Sequence, residues 1–235
     1  MTSSDQKFRI SDDVFQIFPN LEIAVLVVSG VDNTTGGRED LVKVAQERVF
    51  SKIEGLDDLH PHVRDYSQAM KLIKRKKGCL SSIEAMSKRI KKGESIGSVN
   101  PVVDIYNFVS LSHLFPCGGE DLDRIKGDMV LGFAKGDESF IPIGSDEASP
   151  PREGELIYHD DEGAVVRSWL WREAERTKIT TESRNILLYA ELINPLRKAE
   201  FDVAVDELKA MMMSELGGVV ASGLISRSNP EFSIR

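Results

Sequence analysis

The sequence predicts an α+β fold, a mainly antiparallel sheet packed by helices. Three observations lead there: helical patterns crowd the first half, short strand-like runs crowd the second, and a long amphipathic segment follows them. A doubly wound fold would alternate strands with helices, whereas here the two segregate. The 235 residues, 41% of them hydrophobic, suffice for one sizeable core. One domain over residues 1–235 is therefore expected, with a largely helical part at 1–99, a core at 100–193 and a closing helix at 194–216.

Taken in order, LEIAVLVVSGV at 21–31 is β-branched and ends at glycine, as a buried strand does. From Glu39 to Ile53 the apolar residues Leu41, Val42, Ala45, Val49 and Ile53 recur at helical spacing, with Glu39 and Asp40 at the positive end of the dipole. A second helix is predicted over Pro61 to Lys74. A third starts at Ser81, where Ser81 and Glu84 have capping-box spacing and Ile83, Met86 and Ile90 form an apolar stripe. Asn100 before Pro101 announces the central helix, because Asn caps well and Pro is tolerated in a first turn. After Phe115, PCGGED reads as turn chemistry. The segments 128–134, 139–143, 155–159 and 164–171 read as short strands, followed by a strand over Ile186 to Leu192. Leu196 to Leu216 places Phe201, Val205, Leu208 and Met212 on one helical face.

No apolar run reaches the roughly 18 residues that span a bilayer, and Met1 to Asp13 is polar, so a cytoplasmic protein without a membrane partner is expected. Cys79 and Cys117 are too few for a disulfide framework. The four histidines are scattered, so no metal site is expected; no phosphate loop or nucleophile elbow is present, and no cofactor is expected. The net charge is -8, yet Lys71, Lys74, Arg75, Lys76, Lys77, Lys88, Arg89, Lys91 and Lys92 face only Glu84 between residues 71 and 92. Such asymmetry makes either an anion-attracting face, with Lys74 to Lys77, Lys88 and Arg89 as its RNA contacts, or an ordinary solvated surface.

Two features could carry chemistry. Asp104, Asn107 and Ser110 are spaced by three and share one face of an otherwise apolar helix, so they need polar partners or a wet cleft. Leaving them buried without partners would cost about 1–3 kcal/mol per group. Hydrogen bonds to neighbouring loops would satisfy the same pattern. The second feature, WLWREAERTKITTES at 169–183, alternates Trp169 and Trp171 with Arg172 and Arg176, which suits stacking on bases and gripping phosphates. Tryptophans plugging a sheet, with the arginines paired to Glu173, Glu175 and Glu182, would read the same way.

NPVVDIYNFVSL followed by PCGGEDLDRIKGD resembles the VVDITNYVML and HAFDLDKI region of the B3/4 domain in the β subunit of bacterial phenylalanyl-tRNA synthetase. RTKITTESRNILLYAEL is similar to the SEVTEET and VLLEAA stretch of that domain, with Ile179, Thr180 and Ile186 to Leu188 in register. The two motifs bracket Asn100 to Leu192, and RDY, SSIEAMSKRI and WLWR look more like freestanding members of the family. A complete synthetase would need modules for which the chain lacks room. The resemblance implies a polar cleft in which the synthetase hydrolyses tyrosine wrongly attached to tRNA. Carried over, the family's Thr-Asn pair falls at Tyr106 and Asn107, its His at Gly118 and its Glu at Tyr189. Leu170 to Ala174 replace a Gly-rich turn. Only the Asn persists, so the tyrosine-editing pocket is not expected as such.

Three functions follow as expectations. The first is binding of tRNA or another RNA, with recognition of the aminoacylated 3′ end in a cleft formed by Asp104, Tyr106, Trp171, Arg172, Arg176, Thr177 and Tyr189. The second is an aminoacyl-tRNA deacylase acting in trans, with Asn107 and the amides of a Gly118-Gly119 turn orienting water or stabilising the oxyanion. The third is a small-molecule or protein-interaction domain without RNA contact. The oligomeric state is not legible.

Overall fold

The computed structural model describes residues 5–235; residues 1–4, the start of the polar N-terminal stretch, lie outside the described residues. The elements run β1 (Lys7–Ile10), α1 (Asp12–Ile17), β2 (Glu22–Ser29), α2 (Glu39–Ile53), α3 (Pro61–Ala69), α4 (Ser82–Lys91), α5 (Pro101–His113), β3 (Cys117–Asp121), β4 (Met129–Phe133), β5 (Leu156–Asp160), β6 (Gly163–Arg167), β7 (Arg172–Glu173), β8 (Asn185–Leu192), α6 (Lys198–Leu216), β9 (Val219–Ile225) and β10 (Glu231–Ser233). They form an α+β structure with two sheets, ordered β10-β1-β4-β5-β6-β7 and β3-β8-β2-β9. The β1–β4 pair is parallel and every other named pair is antiparallel. No helix among the described residues is long and apolar enough to cross a membrane.

The apolar run of β2 reflects its place between β8 and β9, where both faces are covered. Helix α5 packs among α2, α4 and α6 and touches β3, so nearly its whole circumference is apolar. From Pro101 to Ser112 every residue of α5 is buried except Asn107. Asn100 caps it by accepting from the Val103 N–H at 3.1 Å. Ser81 caps α4 through the Glu84 N–H at 3.3 Å, but the Glu84 carboxylate turns to Lys88 at 2.7 Å instead of closing a capping box.

Asn100 also ties two motifs that lie far apart in the chain. Asn33 Nδ2 donates to Asn100 Oδ1 at 3.2 Å and to the Thr180 carbonyl at 2.7 Å, and Asn33 Oδ1 accepts from the Val102 N–H at 3.0 Å. Asn100 Nδ2 in turn donates to the Ile179 carbonyl at 3.3 Å. Two buried amides thus pin the start of α5 to the segment before β8, satisfying backbone groups that water cannot reach.

The structure departs from the sequence reading at several elements. PCGGED is not a turn: Cys117–Asp121 is strand β3, paired along β8 with Gly118 opposite Tyr189 and Gly119 opposite Leu188. Added Cβ atoms would sit 2.7 Å from the Tyr189 ring and 2.5 Å from a Leu188 methyl, so the two glycines admit large neighbours rather than bend the chain. Residues 139–143 form no strand and contribute one isolated bridge, Pro142 to Ala174. The strand expected at 164–171 stops at Arg167, and α3 stops at Ala69 rather than Lys74. Ahead of β2 the described residues also hold strand β1, absent from the sequence reading, which joins the six-stranded sheet. The sequence reading also lacks β9 and β10, which edge the four-stranded and six-stranded sheets.

Candidate functional site

A cavity of about 360 Å³ opens between α5, the first turns of α4, strands β3 and β8, and the β6–β7 connection. Its apolar lining comes chiefly from Met86, Ile143, Trp169, Leu170 and Trp171. Concave, mostly apolar pockets with a few placed polar groups are the usual form of a small-ligand site.

The polar stripe on α5 divides its work. Asp104, fully buried, accepts from the Arg38 N–H at 2.7 Å, the Val99 N–H at 2.9 Å and the Ser98 hydroxyl. It braces two loops and does not line the cavity. A Cβ on Gly37 would come within 2.9 Å of Asp104 Oδ2, so the loop must be glycine there to approach this closely. Ser110 donates to the Phe115 carbonyl at 2.6 Å and closes the other end of the helix. Asn107, midway, is half-buried and lines the cavity with Tyr106, and its amide has no hydrogen-bond partner among the described residues.

The β6–β7 connection forms one wall. Ser168 and Trp169 adopt φ of 51° and 59°, a left-handed conformation that non-glycine residues occupy only when their surroundings enforce it. The Trp169 N–H donates to the Leu156 carbonyl at 2.7 Å and its Nε1 to Glu191 Oε2 at 2.6 Å, while Ser168 Oγ donates to Glu155 at 3.2 Å. Trp169 is thereby sealed, and Trp171 and Arg172 are turned to the cavity. Lys76 Nζ lies 4.6 Å and Arg172 Cζ 5.5 Å from the Trp171 ring centre. Two features far apart in the chain, the basic segment and the tryptophan stretch, therefore meet at this cavity through cation–π contacts.

Other expected residues lie elsewhere. Arg176 does not enter the cleft: it forks onto both oxygens of Asp160 at 2.7 and 3.0 Å and donates to the Arg124 carbonyl at 3.0 Å. A bidentate pair of this kind is strong and leaves the guanidinium committed. Thr177 is fully buried off the cavity, and Gly119, in strand β3, does not line it either. Of the basic residues, Lys74 bonds to the Glu153 carbonyl, Arg75 to the Cys79 carbonyl at 2.7 Å, Lys88 to Glu84 and Arg89 to the Ser95 carbonyl at 2.6 Å. Lys77 is exposed. Cys79 and Cys117 are free thiols, the latter pushed up to about 12 by burial.

Tyr189 stacks on Tyr158, with centroids 5.1 Å apart, and meets Phe8 edge-on; it forms no aromatic pair with Tyr106. Its ring covers Gly118, so the positions carried over from the family's His and Glu are now coupled: any side chain at 118 would occupy the tyrosine's place.

Three glutamates were not singled out by sequence. Glu191 on β8 lines the cavity, but Tyr158 and Trp169 each donate to one of its oxygens, and burial raises its carboxyl to about 8. Glu120 on β3 is fully buried; burial first and then the charge of Glu173 push it well above the carboxylate range, opposed by the hydroxyls of Thr177 and of Tyr189, the latter 3.2 Å away. Its Oε2 and the nearby Thr177 hydroxyl have no partner among the described residues. Glu173 on β7 lines the cavity and is raised to about 7 by burial, with the Gly119 N–H pulling the other way. A glutamate inside the apolar run ILLYAEL was the available signal for Glu191; nothing local marks Glu173 or Glu120.

The chain is similar in sequence to known proteins. The family described as B3/4 domain matches residues 65–210. The phenylalanine–tRNA ligase β subunit of Photorhabdus laumondii is 30% identical over 111 residues, 47% of this chain and 14% of that protein. The β subunit of Syntrophotalea carbinolica is 29% identical over 162 residues, 58% of this chain and 20% of that protein. An N-terminal fragment of the phenylalanyl-tRNA synthetase β subunit from Pyrococcus horikoshii superposes with a TM-score of 0.47 at 14% identity, covering 92% of this chain and 50% of that one. The chain thus spans a fifth or less of the length of these two curated relatives. With well over half of its residues inside the match, the chain belongs to the B3/4 domain family, a domain related to those of tRNA synthetases.

Proposed function

We propose that the protein binds the aminoacylated 3′ end of a tRNA, with the aminoacyl group in the cavity and the terminal phosphates at its mouth. The observation that carries this reading is the polarity of the site: an apolar interior beside Trp169 and Leu170, and cations Lys76 and Arg172 gathered on Trp171. An amino-acid side chain suits the first and a phosphodiester the second, since Arg and Lys hold phosphate oxygens while a tryptophan face accepts a base. Lys74, Arg75, Lys77, Lys88 and Arg89 would extend the contact along the tRNA backbone.

The test is filter binding of aminoacyl-tRNA and uncharged tRNA across a salt series. Tighter binding of the charged form, lost in Arg172→Ala, supports the reading. Equal binding of both forms removes the aminoacyl group from it, and no binding at any salt leaves a small-molecule or protein ligand.

A second reading, hydrolysis of the ester, is favoured by the unpartnered amide of Asn107. It could donate to the ester carbonyl as negative charge develops there, with water as nucleophile and the terminal ribose hydroxyl as leaving group. Loss of label from a panel of charged tRNAs, abolished by Asn107→Ala, supports it; labels stable in the presence of bound protein exclude it.

A further inference from the structure

Of the two glutamates on the cavity wall, one is already occupied. Glu191 receives the Tyr158 hydroxyl and the Trp169 indole N–H, one donor on each oxygen, so it has little left to offer a ligand. Glu173 differs. No side chain hydrogen-bonds to it and no ion pair reaches it among the described residues. The guanidinium of Arg172 lies over Trp171, and that of Arg176 is held by Asp160. Glu173 interacts electrostatically with the fully buried Glu120, whose Oε2 has no geometric hydrogen bond and for which the Thr177 hydroxyl is a donor within reach. A carboxylate at the edge of a 360 Å³ mostly apolar cavity, whose lining cation Arg172 lies over Trp171 and makes no ion pair with it, is open to a cation from the ligand.

We propose that Glu173, backed by Glu120, recognises the free α-ammonium group of the ligand, so that the cavity admits amino acids joined through their carboxyl group and refuses those with a blocked amine. This rests on the aminoacyl reading above and adds the substrate class. An ammonium brings three donors and a full charge, which a carboxylate in apolar surroundings binds far better than it binds a neutral amide. The same pairing gives the site a proton linkage. Burial raises the Glu173 carboxyl to about 7, and the titratable and charged groups around it are Tyr106 from α5, Cys117 and Glu120 from β3, and Tyr189 and Glu191 from β8, with Arg172 beside it in the chain and Arg176 near Glu120. A bound cation would draw its proton off.

Calorimetry with L-leucinamide and L-phenylalaninamide and their N-acetyl derivatives tests this without tRNA. The expected result is at least ~10-fold tighter binding of the free amines, the size of effect that one charge-assisted hydrogen bond supplies. The gap should close in Glu173→Gln. Titrations in buffers of different ionisation enthalpy should show net proton release on binding near pH 7 in the unmodified protein, a readout independent of how the variant folds. Equal binding of blocked and free amines, a gap that persists in Glu173→Gln, or no proton release overturns the proposal. If neither amide binds while aminoacyl-tRNA does, the proposal fails and the aminoacyl reading stands. If the free amides bind but no tRNA does, the recognition of the ammonium stands and the tRNA reading fails.

Discussion

Asp104 and Glu120 are both carboxylates with no solvent exposure, yet they sit in opposite electrostatic circumstances. Asp104 collects two backbone N–H groups and a hydroxyl, and so replaces the water it lost on burial. Glu120 has one tyrosine hydroxyl, an oxygen with no partner, and a second carboxyl nearby, so its neutral form is favoured. The first arrangement braces a fold and the second is tolerable only where something else is gained. The difference separates the scaffold of α5 from the chemistry of the cavity: donors are spent at the helix ends and withheld in the middle.

That contrast can be broken first at Asp104. Replacing it with Ala takes the acceptor from two part-buried N–H groups and a hydroxyl at about 1 kcal/mol each, so Asp104→Ala should lower the denaturation midpoint by an amount worth about 2–3 kcal/mol. A loss under about 1 kcal/mol would show that water reaches the loops and that the brace is not one.

Next comes the coupled pair on β3 and β8. Gly118→Ala forces a Cβ against the Tyr189 ring, and overpacking of this kind costs about 1–3 kcal/mol. Removing the ring in Gly118→Ala/Tyr189→Ala should cancel that cost in a double-mutant cycle, and additive losses would refute the coupling.

Glu120→Gln should do the reverse of Asp104→Ala. Carboxyls raised by burial stabilise the fold while neutral in both states, below the ordinary glutamate range near 4.5, and this contribution is lost as pH rises through their folded values, about 7 for Glu173 and about 8 for Glu191. Thermal stability should therefore decline from pH 5 to pH 8, and Glu120→Gln should flatten the decline and raise stability at pH 8. A variant less stable than the parent at pH 8 would mean that the charged form of Glu120 is used in the fold.

The smallest expected effect on stability is at Asn107. Asn107→Ala should stay within about 0.5 kcal/mol of the parent, as substitutions away from packed or bonded features do, while it weakens binding of aminoacyl-tRNA. A large loss of stability would place the amide in the scaffold beside Asp104.

Much of the frame was legible locally. The β2 run, the apolar stripes of α2 and α4, the Asn-Pro start of α5 and the Phe201, Leu208 and Met212 face of α6 follow from periodicity and capping, which depend on neighbours within one turn. Strand β3 was read as a turn because its two glycines are turn formers by composition, and the Tyr189 and Leu188 side chains that require them lie some 70 residues away in sequence. Short β1 and β10 carry too few residues to show alternation, and they become strands only by pairing, β10 with β1 and β1 with β4.

From periodicity and capping alone, α5 is the central helix and its polar stripe needs partners or a wet cleft, because burial of unpaired polar groups is costly whatever the fold. Which residues find partners and which one faces the cleft depend on the packing of distant segments. Loops from 37–38 and 98–99 reach Asp104, the Phe115 carbonyl reaches Ser110, and nothing reaches Asn107. The meeting of Lys76 with Trp171, the commitment of Arg176 to Asp160 and the isolation of Glu173 belong to the same category. Charge–charge and hydrogen-bond partners depend on through-space distance, and distance between residues far apart in the chain exists only once the sheets have closed.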